Sequence, residues 1–397
     1  MTTVQPVQPV EPVRFDPFAY EVHEDPYPLY QRLRDAAPAY LDSEHGFWAL
    51  SRDDDVRAAL NDTATFSSSG GITLERRAEA VEPMLIETDP PRHTRLRGLV
   101  SRAFTPKRVA DLEGPIRTLS TELVARCRAG SLDVIGDFAA LLPMAVISEM
   151  LGVPRAEQDE LRGWSDAMLH REPGDPQITE AGIDGAMHLY AFFERLLTSR
   201  RAAPGTDLVS ALLTARDGGA DLTHGEILGF CFLLLIAGNE TTTKLIGNAV
   251  FWLHAFPEQR EMLLTDPTRI PTAVEEVLRY DTSTQALARL LTRDVTLHGV
   301  TLPEGSKGLL LFAAANRDER RWDRPDVLDV TRNPAGHLAF GHGIHHCLGA
   351  ALARLETRVA LEVLLPVLGR YVVDTGAAER VHSGNVRGFS RLPVRVA

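Results

Sequence analysis

Lysine is almost missing from this chain. Of its 42 basic residues only Lys107, Lys244 and Lys307 are lysine, and the arginine excess reads as coding bias rather than chemistry. Cysteine is as scarce. Cys127, Cys231 and Cys347 lie far apart, so they make no disulfide framework, and a reducing compartment, the cytoplasm, is expected. There is no Cys-x-x-Cys pair of the kind that builds structural zinc sites. With 54 acidic residues the net charge is −12 and no basic tail is present, which argues against nucleic-acid binding. The longest apolar run, Ile227 to Gly238, has twelve residues, whereas a bilayer span needs about 20. No secretory leader opens the chain, so a protein outside the membrane is expected.

What remains is an ordinary globular composition, 44% hydrophobic and 24% charged over 397 residues. Residues 1–14 begin with a Pro-, Val- and Gln-rich stretch suited to a disordered tail. Residues 15–397 carry no internal repeat and no linker, so one domain is expected. Ala39–Leu41 and Gly46–Leu50 read as a strand pair across a polar turn. Ser67-Ser68-Ser69-Gly70-Gly71 reads as a flexible loop. Beyond Thr88 helical spacing dominates, with helices expected over Pro91–Ala103, Pro106–Ala129, Met144–Leu151, Ala156–Met168, Thr179–Arg201, Leu208–Ala215, Thr223–Ala255, Pro257–Asp266, Ile270–Tyr280 and Leu348–Leu368. Short strands are expected at Ala288–Leu291, Val295–Leu297, Val300–Leu302, Gly308–Phe312, Tyr371–Val373 and Leu392–Val396. The fold class is mainly α with a smaller β portion.

Three segments carry chemistry. Phe340-Gly341-His342-Gly343-Ile344-His345-His346-Cys347-Leu348-Gly349 is a glycine-broken loop that delivers a cysteine to the start of a helix. Free backbone N–H groups and the helix dipole there favour the thiolate, the form that binds metal. Gly341, Gly343 and Gly349 would let the backbone approach something flat. Zinc stays open as an alternative, since His337, His342, His345, His346 and Cys347 crowd together. In Ala237-Gly238-Asn239-Glu240-Thr241-Thr242, glycine, an acid and two threonines interrupt a long apolar helix. A threonine hydroxyl can bond one turn back and bend such a helix, opening room for water or oxygen. Glu276-Val277-Leu278-Arg279 offers an ion pair one turn apart.

Phe340-x-x-Gly343-x-His345-x-Cys347-x-Gly349 resembles the haem-binding signature of the cytochrome P450 monooxygenases, soluble bacterial type. The likeness covers the chain from about Phe15 to its end. It implies the cytochrome P450 fold in a single domain, with haem b held through Cys347 as metal ligand and Phe340 buried against the ring. Ala237, Gly238, Glu240 and Thr241 would form the oxygen-activation motif, with Thr241 and Glu240 catalytic. His93, Arg97, Arg289 and His345 would hold the haem propionates. Glu276, Arg279 and Arg332 would form a buried structural triad.

The resemblance further implies dioxygen as co-substrate and a separate ferredoxin with its reductase as donor, because no flavin or ferredoxin domain lies in these residues. Arg102, Lys107, Arg108, Arg354 and Arg358 are candidates for the ferredoxin-facing surface. Substrate-facing segments would be Ser67–Ile86, Trp164–Ile178, Phe230–Gly238, Ser283–Ala288 and Val386–Phe389. They offer Leu233, Ile236, Ala237, Ala286, Leu287 and Phe389, with Asn239, Thr284, Gln285 and Asn385 as polar exceptions and Arg387 as the possible grip for a carboxylate. A monomer acting on a mostly apolar small molecule or natural-product scaffold is expected. A peroxide-driven peroxygenase of the same fold, or a non-catalytic haem- or zinc-binding protein, are the alternatives.

Overall fold

The computed structural model describes residues 13–75, 83–101, 105–126, 130–172, 175, 177–217 and 220–396. The tail expected at the start therefore lies, through residue 12, outside the described residues, as do Arg102 and Cys127. In chain order the elements are α1 (Tyr20–Glu24), α2 (Tyr27–Ala36), β1 (Ala39–Asp42), β2 (Phe47–Leu50), α3 (Asp53–Asn61), β3 (Phe66–Ser67), α4 (Arg92–Ser101), α5 (Pro106–Asp111), α6 (Glu113–Arg126), β4 (Ser131–Asp133), α7 (Leu141–Leu151), α8 (Gln158–Leu169), α9 (Glu180–Ala202) and α10 (Leu208–Leu213). There follow β5 (Arg216–Asp217), β6 (Ala220–Asp221), α11 (His224–Ala255), α12 (Pro257–Thr265), α13 (Ile270–Tyr280), β7 (Ala286–Leu291), β8 (Val295–Leu297), β9 (Val300–Leu302), β10 (Lys307–Leu311), α14 (Phe312–Ala315), α15 (Ala350–Leu368), β11 (Tyr371–Val373), β12 (Glu379–Arg380), β13 (Phe389–Arg391) and β14 (Pro393–Val396).

The axis of the molecule is α11. Its 32 residues make a rod of about 48 Å. It starts at a reciprocal cap: the Thr223 hydroxyl accepts from the Glu226 N–H at 3.1 Å, and the Glu226 carboxylate accepts from the Thr223 N–H at 3.0 Å. It stops before Pro257, whose ring forces Phe256 out of helical geometry (φ −120°, ψ 77°). Helices α7, α13 and α15 pack along it. The largest apolar cluster joins Ile246, Val250 and Leu253 of α11 to Leu361, Leu364 and Leu368 of α15 and to Val274 and Val277 of α13. A second cluster joins Phe230, Leu234 and Leu235 of α11 to Leu96 and Val100 of α4 and to Phe192, Phe193 and Leu197 of α9.

The main sheet runs β1-β2-β10-β7-β3. The β1–β2 hairpin is antiparallel, β10 runs parallel to β2, and β7 runs antiparallel to β10 with Arg289 opposite Gly308. This strand carries Arg289 into the protein interior.

Several expectations shift. The helix expected from Pro106 breaks at Leu112 into α5 and α6, because Pro115 has no N–H to return to the turn before it. A π-helical turn, Val134–Ala139, precedes α7. The combined stretch Val134–Leu151 is apolar and long enough to cross a membrane, but 61% of it is buried inside the protein, the behaviour of a core helix. The serine-rich segment is ordered rather than flexible: Ser67 and Ser68 are buried, and the Ser68 N–H donates to Asp89 at 3.0 Å.

Candidate active site

The cysteine loop closes on itself, with the Cys347 N–H donating to the Phe340 carbonyl at 2.9 Å. A short 3-10 turn, Gly343–His345, interrupts it. Gly341 and Gly343 adopt φ of 68° and 69°, a region that costs any other residue. A Cβ on Gly343 would sit 2.8 Å from the Leu60 carbonyl. Both glycines thus serve the loop's own turns, and Gly343 also its seat on α3, while a Cβ on Gly341 would lie 3.9 Å from the His345 carbonyl. Cys347 shows surface at the rim of the loop. Burial pushes the uncoordinated thiol up, outweighing the Gly349 N–H, the charges of Arg97 and Arg354 and the Ala350 N–H, which pull it down. The donors expected from the helix start are present; a cation on the sulfur is what would tip the balance to thiolate.

Beside this loop four basic groups from three places in the chain converge. His93 is buried on α4, and its Nε2 has no hydrogen-bond partner among the described residues. Its ring lies 4.3 Å from that of His345. Arg97, one turn on, reaches the His346 carbonyl at 2.6 Å. Arg289 is 2% exposed on β7. Burial first, then the charges of Arg289, His93 and Arg97, push His345 down to about 3. Burial also brings Arg289 down to about 10, against the attraction of Asp89. Asp89 is itself engaged by Ser67 and Ser68. Basic groups that depress one another, one with an orphaned buried nitrogen, suit a ligand carrying carboxylates. Sequence reasoning missed Ser68, which meets His345 Nε2 at 3.2 Å, and Asp89; only their proximity in the fold reveals them.

The middle of α11 contributes the opposite wall. Most of the helix is buried, yet Ala237 is exposed and Leu233 and Thr241, one turn to either side, are half-buried. That spacing defines one open face. The Thr241 hydroxyl donates to the Ala237 carbonyl at 2.9 Å, as expected, but the helix continues unbroken through it. Gly238 departs from expectation: its bare side turns to Ile147 of α7, 3.5 Å from where a Cβ would lie, so it serves helix packing. Glu240 is buried and pairs with Lys244 at 3.0 Å.

Other expected residues divide. Glu276 and Arg279, both fully buried, bond twice at 2.8 Å, and Arg332 reaches Glu276 at 3.1 Å. Arg279 also donates to the Asn316 and Pro325 carbonyls, so the triad ties α13 to the segment before the cysteine loop. Phe340 is half-buried rather than buried, with the Arg354 guanidinium 4.5 Å over its ring. Arg354 binds Glu275 and Arg358 binds Glu113 and Glu362, so neither offers unpaired charge to a partner, while Lys107 and Arg108 are exposed. Arg387 is committed to Asp281 and to the His23 and Glu24 carbonyls, and Phe389 packs on Phe251 in the core. The crowded histidines do not converge: among the described residues no three His, Cys, Asp or Glu side chains come together as a metal site, which removes the support for zinc.

Comparison with known proteins agrees with this geometry. The cytochrome P450 family model matches residues 177–368. A putative cytochrome P450 123 from Mycobacterium tuberculosis is 45% identical over 387 residues, covering 96% of each chain. The vitamin D(3) 25-hydroxylase of Pseudonocardia autotrophica is 41% identical over 391 residues, covering 96% of each. Among solved structures, the cytochrome P450 CYP109Q5 from Chondromyces apiculatus superimposes with a TM-score of 0.88 at 40% identity, covering 96% of this chain and 98% of that one. CYP109E1 from Bacillus megaterium, in complex with testosterone, gives 0.89 at 34% identity, covering 95% and 99%. With a cysteine at the mouth of α15, a basic cluster beside it and an exposed alanine in the buried α11, this chain belongs to the cytochrome P450 family, haem b monooxygenases of mainly helical fold.

Proposed function

We propose that this chain is a ferredoxin-dependent haem-thiolate monooxygenase acting on a largely apolar small molecule, in which Cys347 would hold the haem iron. Haem, when bound, supplies the reductive activation of dioxygen and the delivery of one oxygen atom to an organic substrate. The observation that carries the reading is the convergence of His93, Arg97, Arg289 and His345 on the side of the Cys347 loop, with His93 Nε2 unsatisfied. Two propionates would satisfy that nitrogen and offset the mutual repulsion of the basic groups.

Each remaining task falls to a side chain. Arg97 and Arg289 would fork onto carboxylates, while His93 and His345 orient them. Ala237 keeps one wall low. Thr241 holds a proton at Oγ1 on the same face, and the adjacent Glu240, held by Lys244, would be the acid that works with it. Those two residues favour the dioxygen route over the peroxygenase reading, which has no use for a proton-delivering acid. The exposed Lys107 and Arg108 are what remains of a basic docking surface for an acidic ferredoxin. The monomeric state and a cytoplasmic location belong to the same reading.

The substrate side is apolar. Leu233, Ile236 and Leu287 are half-buried and Ala237 is exposed, while Arg387 is already engaged by Asp281 and by the His23 and Glu24 carbonyls. Two relatives with named ligands, one bound to testosterone and one a vitamin D(3) hydroxylase, favour a rigid, mostly hydrocarbon scaffold of steroid size. Turnover tests this. Product from such a scaffold with dioxygen and reduced ferredoxin, and none with peroxide alone, is the expected result. Turnover with peroxide alone at an equal rate would favour the peroxygenase.

A further inference from the structure

The serine strap that follows β3 reaches every element carrying the basic cluster. Ser67 pairs with Leu290 of β7, next to Arg289. Ser67 Oγ donates to one carboxylate oxygen of Asp89, and the Ser68 N–H donates to the other at 3.0 Å. The Asp89 carbonyl in turn accepts the His93 N–H at 2.9 Å, the bond that opens the helix of His93 and Arg97. Ser68 Oγ meets His345 Nε2 at 3.2 Å, across 277 positions of sequence. Arg289, the His93–Arg97 helix and His345 come from three places in the chain, and Ser67 with Ser68 touches each of them, the second by way of Asp89.

The backbone fixes Ser68 from both sides. Before it, β3 is laddered to β7. After it, the Gly71 N–H donates to the Ser68 carbonyl at 3.0 Å, and the Ile72 carbonyl accepts the Ala288 N–H at 2.7 Å. A Cβ on Gly70 would lie 2.8 Å from Leu290 Cβ, so the strap lies directly on β7. Ser68 is 0% exposed. A hydroxyl at that depth is costly unless it is hydrogen-bonded, and here its partner is an imidazole nitrogen. That contact takes up Nε2 of His345 and leaves Nδ1 for a ligand. A carboxylate only accepts, so Nδ1 must carry the hydrogen that serves it. In the neutral ring Nε2 is then the acceptor, and the Ser68 O–H donates to it.

We propose that Ser68 is the positioning residue of His345. Its hydroxyl fixes the orientation of the ring and the Nδ1–H tautomer, so the histidine presents a set donor to a haem propionate. Asp89 holds Ser68 at that station through the strap backbone. No bond is made or broken, and the hydroxyl hydrogen stays on Ser68. A donor ordered before the ligand arrives binds it more tightly than one ordered on binding. Because Asp89 also opens the helix of His93 and Arg97, the same strap keeps those two groups in register with His345.

Ser68 can act in this way only if His345 serves a haem propionate, so the proposal rests on that reading, and a double-mutant cycle tells the two apart. Transfer of haem from the purified protein to excess apomyoglobin, followed by absorbance, reads haem release without turnover. Ser68→Ala should release haem about fivefold faster, the effect of one hydrogen bond. In a His345→Phe background it should add nothing further, because two residues that act as one unit are not additive. Ser69→Ala, which removes the exposed hydroxyl beside Ser67, should release haem at the wild-type rate. Nitrogen-15 spectra of the histidine-labelled carbon monoxide complex should show His345 as the Nδ1–H tautomer in wild type and as a mixture in Ser68→Ala. The role of Ser68 is overturned, with the His345 reading left standing, by any of three results. These are wild-type release in Ser68→Ala while His345→Phe accelerates it, equal acceleration by Ser68→Ala in the His345→Phe background or by Ser69→Ala, and an Nε2–H tautomer in wild type. If His345→Phe itself releases haem at the wild-type rate, that reading falls and the role of Ser68 falls with it.

Discussion

Arg97 Nη2 donates to the main-chain carbonyl of His346 at 2.6 Å, so the helix that carries His93 also clasps the residue just before Cys347. Segments 249 residues apart in sequence are thereby locked in register. The arginine acts twice, once as a brace for the loop and once as a charge beside the sulfur, on which it exerts a lowering influence.

Replacing Arg97 by alanine should remove both actions. Hydrogen bonds to charged groups contribute about 1.5–3 kcal/mol, so haem affinity should fall by about 10- to 100-fold. The ratio of Soret to protein absorbance after gel filtration reads this directly. Arg97→Lys should recover only part of the loss, since an ammonium cannot fork onto a carboxylate. Full haem retention in the alanine variant would contradict the assignment.

Glu276→Gln should be among the most destabilising single changes in the chain. It strips the buried Arg279 of its bidentate carboxylate and weakens the tie to Arg332. Breaking one side of a buried ion pair costs about 3–5 kcal/mol, a large share of a typical stability of about 5–15 kcal/mol. The urea midpoint measures it, and a shift within error would show that the triad is dispensable.

Acid stability should depend on Glu275. Burial pushes this carboxyl up, but hydrogen bonds from His337 and Arg354, together with their charges, outweigh burial and hold it at about 2. Its folded value is depressed below the unfolded one, so its contribution is complete above about pH 4.3 and is lost as pH falls toward 2. The side chains of Arg354 and Glu275 are 39% and 27% exposed, so the contribution is on the order of 1 kcal/mol after solvent screening. Denaturation midpoints across that window should fall less steeply in Glu275→Gln than in wild type.

Thr241→Ala should keep substrate binding and lose efficiency. The hydroxyl it removes bonds within its own helix, so the fold has little to lose. Product per dioxygen consumed should drop by about tenfold or more, with hydrogen peroxide appearing in its place. A substrate-induced Soret shift of wild-type size, measured alongside, separates binding from chemistry.

Much of this was legible in the sequence because it was local. The Thr223–Glu226 cap, the stop before Pro257, and the strands Val295–Leu297 and Val300–Leu302 follow from residues a few positions apart. So did the cysteine loop and the Glu276–Arg279 pair. What was not legible depends on tertiary neighbours. Gly238 looked like space for a ligand, but Ile147, far away in sequence, fills that side. Arg354, Arg358 and Arg387 looked free until the fold brought Glu275, Glu113 and Asp281 to them. Ser67 and Ser68 looked like a flexible loop because their partner, Asp89, lies some twenty positions on. Lys244 was the one overlooked signal within reach, a rare lysine one turn from Glu240.

The most direct test of the account is the absorption difference spectrum of the dithionite-reduced protein with and without carbon monoxide, recorded on wild type and Cys347→Ala. Thiolate ligation through Cys347 predicts a strongly red-shifted Soret band in wild type that is gone in the variant. A colourless wild type, a histidine-type spectrum, or a red-shifted band that survives in Cys347→Ala would contradict it.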